Sequence, residues 1–258
     1  SDARVALPVN YEAVPAQAGV TDDYLRPVEG ITAFATGEGN DRAAIVWTGA
    51  GGNVHYRVSG TKLVSVSESG LVTVIGDVGG TGHARLDFSF DRLGILSGGK
   101  LYYYTGGVLT LQTDPNIPAN LIDLAWVDGY WAVTDGTDVA VSDIATPTTF
   151  NALKFGGTDR PNPVKCLIKV INELHVISEN YIDVFRNVGG SGFPFQRISS
   201  AVVTKGPIGT RTACVFENRV AFLGGGRNEE PSVYLGFNAQ SSKIASAEVD
   251  MILDEYTT

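Results

Sequence analysis

Histidine, cysteine and methionine are nearly missing from this chain, which has three, two and one of them in 258 residues. His55, His83 and His175 stand apart from one another and from any partner at metal-ligand spacing. Packing is therefore the default reading for each, and no metal or other cofactor is expected. Two cysteines cannot build the disulfide framework of a small secreted domain. A bridge between Cys166 and Cys214 would fit, and two buried free thiols fit better. No Asn-x-Ser/Thr sequon occurs, so that mark of secretion is absent. No apolar run is long enough to span a bilayer, and the first residues carry no leader pattern. Ser1 in place of Met reads as a tag remnant or a processed start. Basic residues are outnumbered 19 to 28, a net charge of −9, which argues against a DNA-binding surface over the whole molecule.

The catalytic and nucleotide-binding motifs that come near to forming all fail. Gly94-Ile-Leu-Ser-Gly-Gly99-Lys100-Leu101 approaches a phosphate-binding loop. It lacks the Ser/Thr that holds the metal, and it lies on a strand hairpin where a helix must start. The glycine clusters at 49–52, 79–82, 189–192 and 224–226 do not form GxGxxG ahead of a helix, so they read as turns. Gly189-Gly190-Ser191-Gly192-Phe193 misses the nucleophile elbow at its last residue. Asp135 and Asp138 could approach a calcium ion, but the EF-hand spacing is absent. No Ser-x-Asp-x-Gly-x-Thr-Trp box of the sialidase type occurs. Nothing in this set supports an enzyme.

Glycine, by contrast, is abundant at 31 residues, as a hairpin-dense fold requires. The stretch from Ala84 to Thr113 reads as four short strands: Ala84–Phe90, Leu93–Leu96, Lys100–Tyr104 and Val108–Leu111. Period-2 alternation with aromatic and β-branched residues, broken by Asp and Gly, marks successive hairpins. Ser59-Gly-Thr-Lys-Leu63 matches Ser97-Gly-Gly-Lys-Leu101 at a shift of 38. Four strands in a unit of about 40 residues is the pattern of a β-propeller blade.

Five such units can be laid along residues 31–246. The first is Ala43–Trp47, Val54–Val58, Lys62–Val66 and Leu71–Ile75, and the stretch from Ala84 is the second. The third is Leu121–Val127, Tyr130–Val133, Asp138–Val141 and Phe150–Phe155. The fourth is Val164–Ile171, Glu173–Ile177, Ile182–Arg186 and Phe195–Ile198. The fifth is Thr210–Phe216, Arg219–Leu223, Ser232–Gly236 and Lys243–Ala245. The units share a corner in which an apolar residue precedes a turn residue: Phe90-Asp91, Val127-Asp128, Ile171-Asn172 and Phe216-Glu217. Phe88, Phe90, Ile95, Leu96, Trp126, Trp131, Leu167, Ile177, Phe216 and Phe222 are expected in the core.

Residues 1–30 read as an irregular arm broken by Pro8, Pro15 and Pro27, with Leu7–Tyr11 extended and Ile31–Phe34 a short strand. After Ser246 the period changes. Val249, Ile252, Leu253 and Tyr256 fall on one helical face, with Ser246 as N-cap. Residues 247–258 are thus a short helix, read as leading into a further C-terminal part.

A resemblance takes the reading further. Leu7-Pro-Val-Asn10 followed by Tyr24-Leu-Arg-Pro-Val-Glu-Gly-Ile-Thr32 is similar to the start of the packaged-DNA stabilization proteins of short-tailed phages. Tyr56–Leu63, Trp131–Asp138, Tyr181–Phe185, Pro231–Tyr234 and the ending Ile244–Thr257 resemble the same family in the same order. The resemblance implies a tail hub component that closes the portal channel, stabilises packaged DNA until genome ejection, and links an adaptor ring to a tail needle. It implies a ring of copies in the virion tail, assembled in the bacterial host cytoplasm. It implies no chemistry, no membrane and no tight sequence-specific DNA binding. Family members continue past the equivalent of Tyr256, so the ring of blades need not close within this chain.

Charge offers one candidate contact. Residues 150–227 carry ten Lys/Arg against five Asp/Glu, hence +5, while the remainder carries nine against twenty-three, hence −14. Scatter of solvated charge would account for this. A basic sector of Arg160, Lys165, Lys169, Arg186, Arg197 and Arg211 facing an acidic partner or DNA phosphates is the sharper reading. The alternative function is a carbohydrate-binding or glycan-cleaving propeller, for which Asp128, Asp135, Asp138 and Asp143 would be the carboxylate cluster on one rim. A host protein-interaction propeller fits the fold equally and has no residues of its own to support it.

Overall fold

A computed structural model describes residues 11–14, 24–30, 32–49, 52–144, 146–157 and 162–257. The chain divides into two compact units, Ser1–Thr36 and Gly37–Thr258. In the first, β1 (Tyr11–Val14) pairs antiparallel with β2 (Tyr24–Pro27), Tyr11 lying opposite Pro27. The arm read as irregular thus contains one short strand pair, and Pro27 is tolerated because it closes a strand with a free edge. Leu7–Asn10 lie outside the described residues, as does Ile31, and Thr32–Phe34 form no strand.

The second unit holds five antiparallel sheets. Sheet one is β3 (Asp41–Gly49), β4 (Gly52–Ser59), β5 (Lys62–Val66) and β6 (Val72–Asp77). Sheet two is β7 (Arg85–Phe88), β8 (Leu93–Ser97), β9 (Lys100–Thr105) and β10 (Val108–Leu111). Sheet three is β11 (Asp123–Val127), β12 (Tyr130–Thr134), β13 (Val139–Ser142) and β14 (Phe150–Gly156). Sheet four is β15 (Val164–Val170), β16 (Glu173–Ser178), β17 (Tyr181–Asn187) and β18 (Phe195–Arg197). In sheet five β19 (Gly206–Pro207) and β20 (Ala213–Phe216) both pair with β21 (Arg219–Gly225), followed by β22 (Ser232–Phe237) and β23 (Gln240–Lys243). The fifth unit's last strand thus precedes its expected place at Lys243–Ala245 and overlaps it only at Lys243.

Buried and more exposed residues alternate along the middle strands β9 and β21, but not along every strand. Every residue of β8, β12 and β13 is buried. A strand covered on both faces by neighbouring sheets has no solvent side for polar residues to occupy. Four apolar clusters fill the four spaces between consecutive sheets. Leu63, Leu86 and Leu93 lie between sheets one and two, and Leu101, Trp131 and Phe150 between two and three. Tyr130, Leu167 and Phe195 fill the next space, and Ile177, Val220 and Phe222 the last. Each fully buried large side chain contributes about 1.5–3 kcal/mol relative to exposure.

Most of the expected core is buried, with Phe88 and Trp126 partly so. Two members are not: Phe90 is 82% exposed and Phe216 52%. The alternation that pointed them inward outlasts the sheet, since β7 ends at Phe88 and Phe216 is the last residue of β20. Cys166 is buried and Cys214 exposed, both as free thiols, which corrects the expectation of two buried ones. Helix α1 (Ala247–Thr257) begins where the sequence placed it, Ser246 Oγ accepting from the Val249 amide. Asp250 anchors its first turn to Lys243 at 2.5 Å and to Ser232 at 2.6 Å.

Candidate functional site

The first strands of sheets one to four touch in succession, β3 with β7, β7 with β11 and β11 with β15, and β15 touches β20 of sheet five. They run in one direction. The Ala84 amide donates to the Arg42 carbonyl at the starts of β7 and β3, and Arg85 and Asp123 pair at 3.2 Å at the starts of β7 and β11. One end of the unit therefore collects all junctions of first with second and third with fourth strands, here called the tip end. The other, the linker end, collects the second-to-third turns and the links between sheets.

Along the inner strands two aspartates act alike. Asp87 accepts from the Phe88 amide at 2.9 Å and from the Trp126 amide of the next sheet at 2.6 Å. Asp123 accepts from the Leu124 amide at 2.9 Å and from the Leu167 amide of the following sheet at 2.8 Å. Burial pushes both carboxyls above the usual range, the amides and the Arg85 guanidinium pulling the other way. Each oxygen already serves a main-chain donor, so the pair locks inner strands together; removing one would strand a buried N–H at about 1–3 kcal/mol. Sequence reading weighted the corner residues Asp91 and Asp128 and missed this pair, although each stands on the first strand of its repeat.

The linker end is held by arginine and glycine. Arg42 donates to the Gly60 carbonyl at 2.9 Å, the Gly79 carbonyl at 2.8 Å and Ser97 Oγ at 2.8 Å, and also to the Gly82 carbonyl. Desolvation lowers its guanidinium from the ordinary value. At Gly80, with φ of +70°, a Cβ would meet the Gly98 nitrogen at 2.8 Å, so the two loops approach backbone to backbone.

The six basic residues do not share one environment. Arg160 lies outside the described residues. Lys165 and Lys169 sit on the inner strand β15, with Lys169 the more exposed and within electrostatic reach of Asp87. Arg186 is exposed on β17, opposite Glu173. Arg197 on β18 pairs with the buried Asp183 at 3.7 Å. Arg211 reaches from the fifth sheet to the Ala84 carbonyl of the second at 2.8 Å.

The four carboxylates proposed for one rim divide between the two ends. Asp128, accepting from Asn187 at 2.6 Å, and Asp143, paired with Lys154 at 2.6 Å, are at the tip end. Asp135 and Asp138 lie in the β12–β13 turn at the linker end, where Asp135 caps the Thr137 and Asp138 amides. Among the described residues no group of His, Cys, Asp and Glu is placed to hold a metal ion. His175 is buried, and burial lowers its imidazole to about 4; burial pushes the Cys166 thiol up to about 12, far from a reactive thiolate. A cleft of about 400 Å³ between sheets two and three is lined by Arg92, Tyr103, Gln112, Asp114 and Thr148. Its polar walls already bind the chain itself: Tyr103 donates to the Pro147 carbonyl at 3.1 Å and Asp114 accepts from the Phe150 amide at 3.2 Å.

Five antiparallel sheets of four or five strands, joined through their inner strands with apolar layers between neighbours, define a β-propeller. The family described as bacteriophage P22 Gp10, β-propeller, matches residues 1–258, and this chain belongs to it. It is 27% identical over 271 residues to the tail hub protein gp10 of Salmonella phage P22, an overlap covering 97% of this chain and 55% of that protein. The chain thus spans about half the length of that relative. Among solved structures it is similar to a protein of unknown function from Desulfotomaculum acetoxidans, at 12% identity and TM-score 0.55, over 86% of this chain and 77% of the other. It is also similar to virginiamycin B lyase from Staphylococcus aureus, at 13% identity and TM-score 0.51, over 80% and 71%. At these identities the likeness is one of fold.

Proposed function

We propose that this chain is a structural, non-catalytic component of a short-tailed phage tail, acting by shape and contact. The observation that carries the reading is the family match along the whole chain. In this role the chain works in a ring of copies in the virion tail, joins an adaptor ring to a tail needle, and keeps packaged DNA from leaking. The rigidity that such a plug needs has a source in the four interlayer cores and the Asp87 and Asp123 locks. With a net charge of −9 the body repels phosphates, so retention comes from closing the channel rather than from gripping DNA. Weak contacts, multiplied around a ring, supply the affinity.

The basic sector is a candidate for one such contact, with Lys169 exposed on β15 and Arg186 exposed on β17. The test is a phage deleted for the gene. Particles should fill with DNA and then lose it, with retention restored by the parent protein. The Lys169→Glu/Arg186→Glu variant should restore less, with an unchanged circular dichroism melt. Full genome retention in the deleted particles would overturn the tail role.

A further inference from the structure

In a molecule with a net charge of −9, positive charge collects where the inner strands begin. Arg42 stands near the start of β3, Arg85 at the start of β7, and Arg211 two residues ahead of β20. Arg211 crosses from sheet five to the Ala84 carbonyl of sheet two at 2.8 Å, within electrostatic reach of Arg42, Arg85 and Asp123. Sheets one, two, three and five thus each send one charged side chain to this place. Further along the same strands, Asp87 lies within reach of Arg85 and Lys169. Four cations share two carboxylates, an excess of +2. Both carboxylates already accept two main-chain amides each, so they are committed to locking the strands.

The arginines differ in how far their donors are used. Arg42 spends its own on main-chain carbonyls and Ser97. The Arg85 side chain is 40% exposed, and its Nε lies 3.2 Å from Asp123 Oδ1 without the alignment of a hydrogen bond. Among the described residues its two Nη atoms donate to nothing, and Arg211 uses Nη1 alone. Desolvation lowers the Arg211 guanidinium, and the like charges of Arg85 and Arg42 add to this against the pull of Asp123. A partly desolvated cation without a counter-charge is costly, so this place favours an anion. Two neighbouring forks with unused donors and an excess of two charges match one phosphate group, which carries about −1.5 to −2 near neutral pH. A chain of phosphates brings more charge than the excess balances, and the acidic body repels it. We propose that Arg85 and Arg211 form a binding site for a single phosphate group, as inorganic phosphate or a small phosphate monoester, at the linker end of the inner strands. Held there, it ties sheet five to sheet two more firmly than the one Arg211 hydrogen bond does. The proposal stands on position, unused donors and charge, and does not require the tail role.

Calorimetric titration of the parent chain with inorganic phosphate, in chloride at fixed ionic strength, tests it. One saturable site with Kd below about 1 mM is expected. Arg85→Gln/Arg211→Gln should weaken it about tenfold or more, while Arg186→Gln/Arg219→Gln, which removes the same charge from β17 and β21, should leave it unchanged. Arg85→Gln alone gives up no hydrogen bond, so it keeps the fold and decides the matter should the double variant fail to fold; it should weaken binding about threefold or more. Arg85→Lys/Arg211→Lys keeps the charge, removes both forks, and should recover only part of the affinity. Absence of saturable binding by the parent, or unchanged affinity in Arg85→Gln, would overturn the proposal. So would tighter binding of a short oligothymidylate than of phosphate or glycerol 1-phosphate, because the site would then be one for a nucleic-acid backbone.

Discussion

The two ends of the propeller unit solve opposite problems with the same hairpins. At the linker end, loops from neighbouring sheets come within backbone contact, and Arg42 ties three glycine carbonyls and Ser97 together. At the tip end, turns such as Gly106-Gly107 meet nothing within 4 Å of an added Cβ, and apolar side chains stand in solvent. Turn composition alone does not separate the ends, because glycine with positive φ occurs at both. What separates them is whether a neighbouring backbone fills the space that the missing Cβ leaves. Cohesion belongs to one end, and the other stays open to solvent.

The sharpest way to break this comparison is a matched pair of glycine substitutions. Gly80 and Gly106 have φ of +70° and +56°, so alanine strains both alike, at about 1–2 kcal/mol. Gly80→Ala also drives a methyl to 2.8 Å from the Gly98 nitrogen, adding about 1–3 kcal/mol of overpacking. Denaturant melts should therefore place Gly80→Ala at least about 1 kcal/mol below Gly106→Ala. Equal losses would mean that the linker end is no more closely built than the tip end.

Much of this was legible in the sequence, for a physical reason. Hairpins are local, so the bounds of Lys62–Val66 and Val108–Leu111 are readable from the sequence, as are the starts of about half of the other strands. The 38-residue shift exposed the repeat because each unit packs on a copy of itself. What was not legible depends on contacts between units. The inward or outward fate of Phe90 and Phe216 turns on where pairing stops, which alternation does not encode. Asp87 and Asp123 look like ordinary strand-edge carboxylates until the next sheet's amide lies against them. The basic residues form a cluster along the chain, but the fold places Lys165 and Lys169 on an inner strand, Arg186 on a middle one and Arg197 on an edge strand.

Acid sharpens the comparison from within, by testing the layer between the ends. His175 is buried with a folded-state value near 4 against an ordinary 6.5. The fold thus holds the neutral imidazole, so the associated stability is complete above about 6.5 and is lost as pH falls through about 4. A separation of this size is worth about 3 kcal/mol. Glu173 approaches at 3.6 Å from a half-exposed position and offers the protonated ring only partial compensation. His175→Leu should match the parent near neutrality, since neither ring nitrogen has a hydrogen-bond partner to lose. It should then outlast the parent as the pH drops from 6.5 to 4. Parallel loss in both proteins would put the acid response in the carboxylates at the two ends.

The smallest expected effect carries the comparison to the tip residues themselves. Phe216 closes β20 with half of its surface in solvent, and Phe90 stands past the end of β7 with its ring 6.2 Å from Trp126. A large aromatic in a core would cost about 3–5 kcal/mol on truncation, through lost burial and a residual cavity. Phe216 leaves no cavity, because nothing packs over its outer face, so Phe216→Ala should stay within about 0.5 kcal/mol of the parent. Phe90→Ala gives up one edge-on aromatic contact as well and should lose at most about 1 kcal/mol. Chemical melts of both variants check this directly. A loss of several kcal/mol at either position would mean that the side chain is covered in solution, and the tip end would then be part of the core rather than an exposed surface.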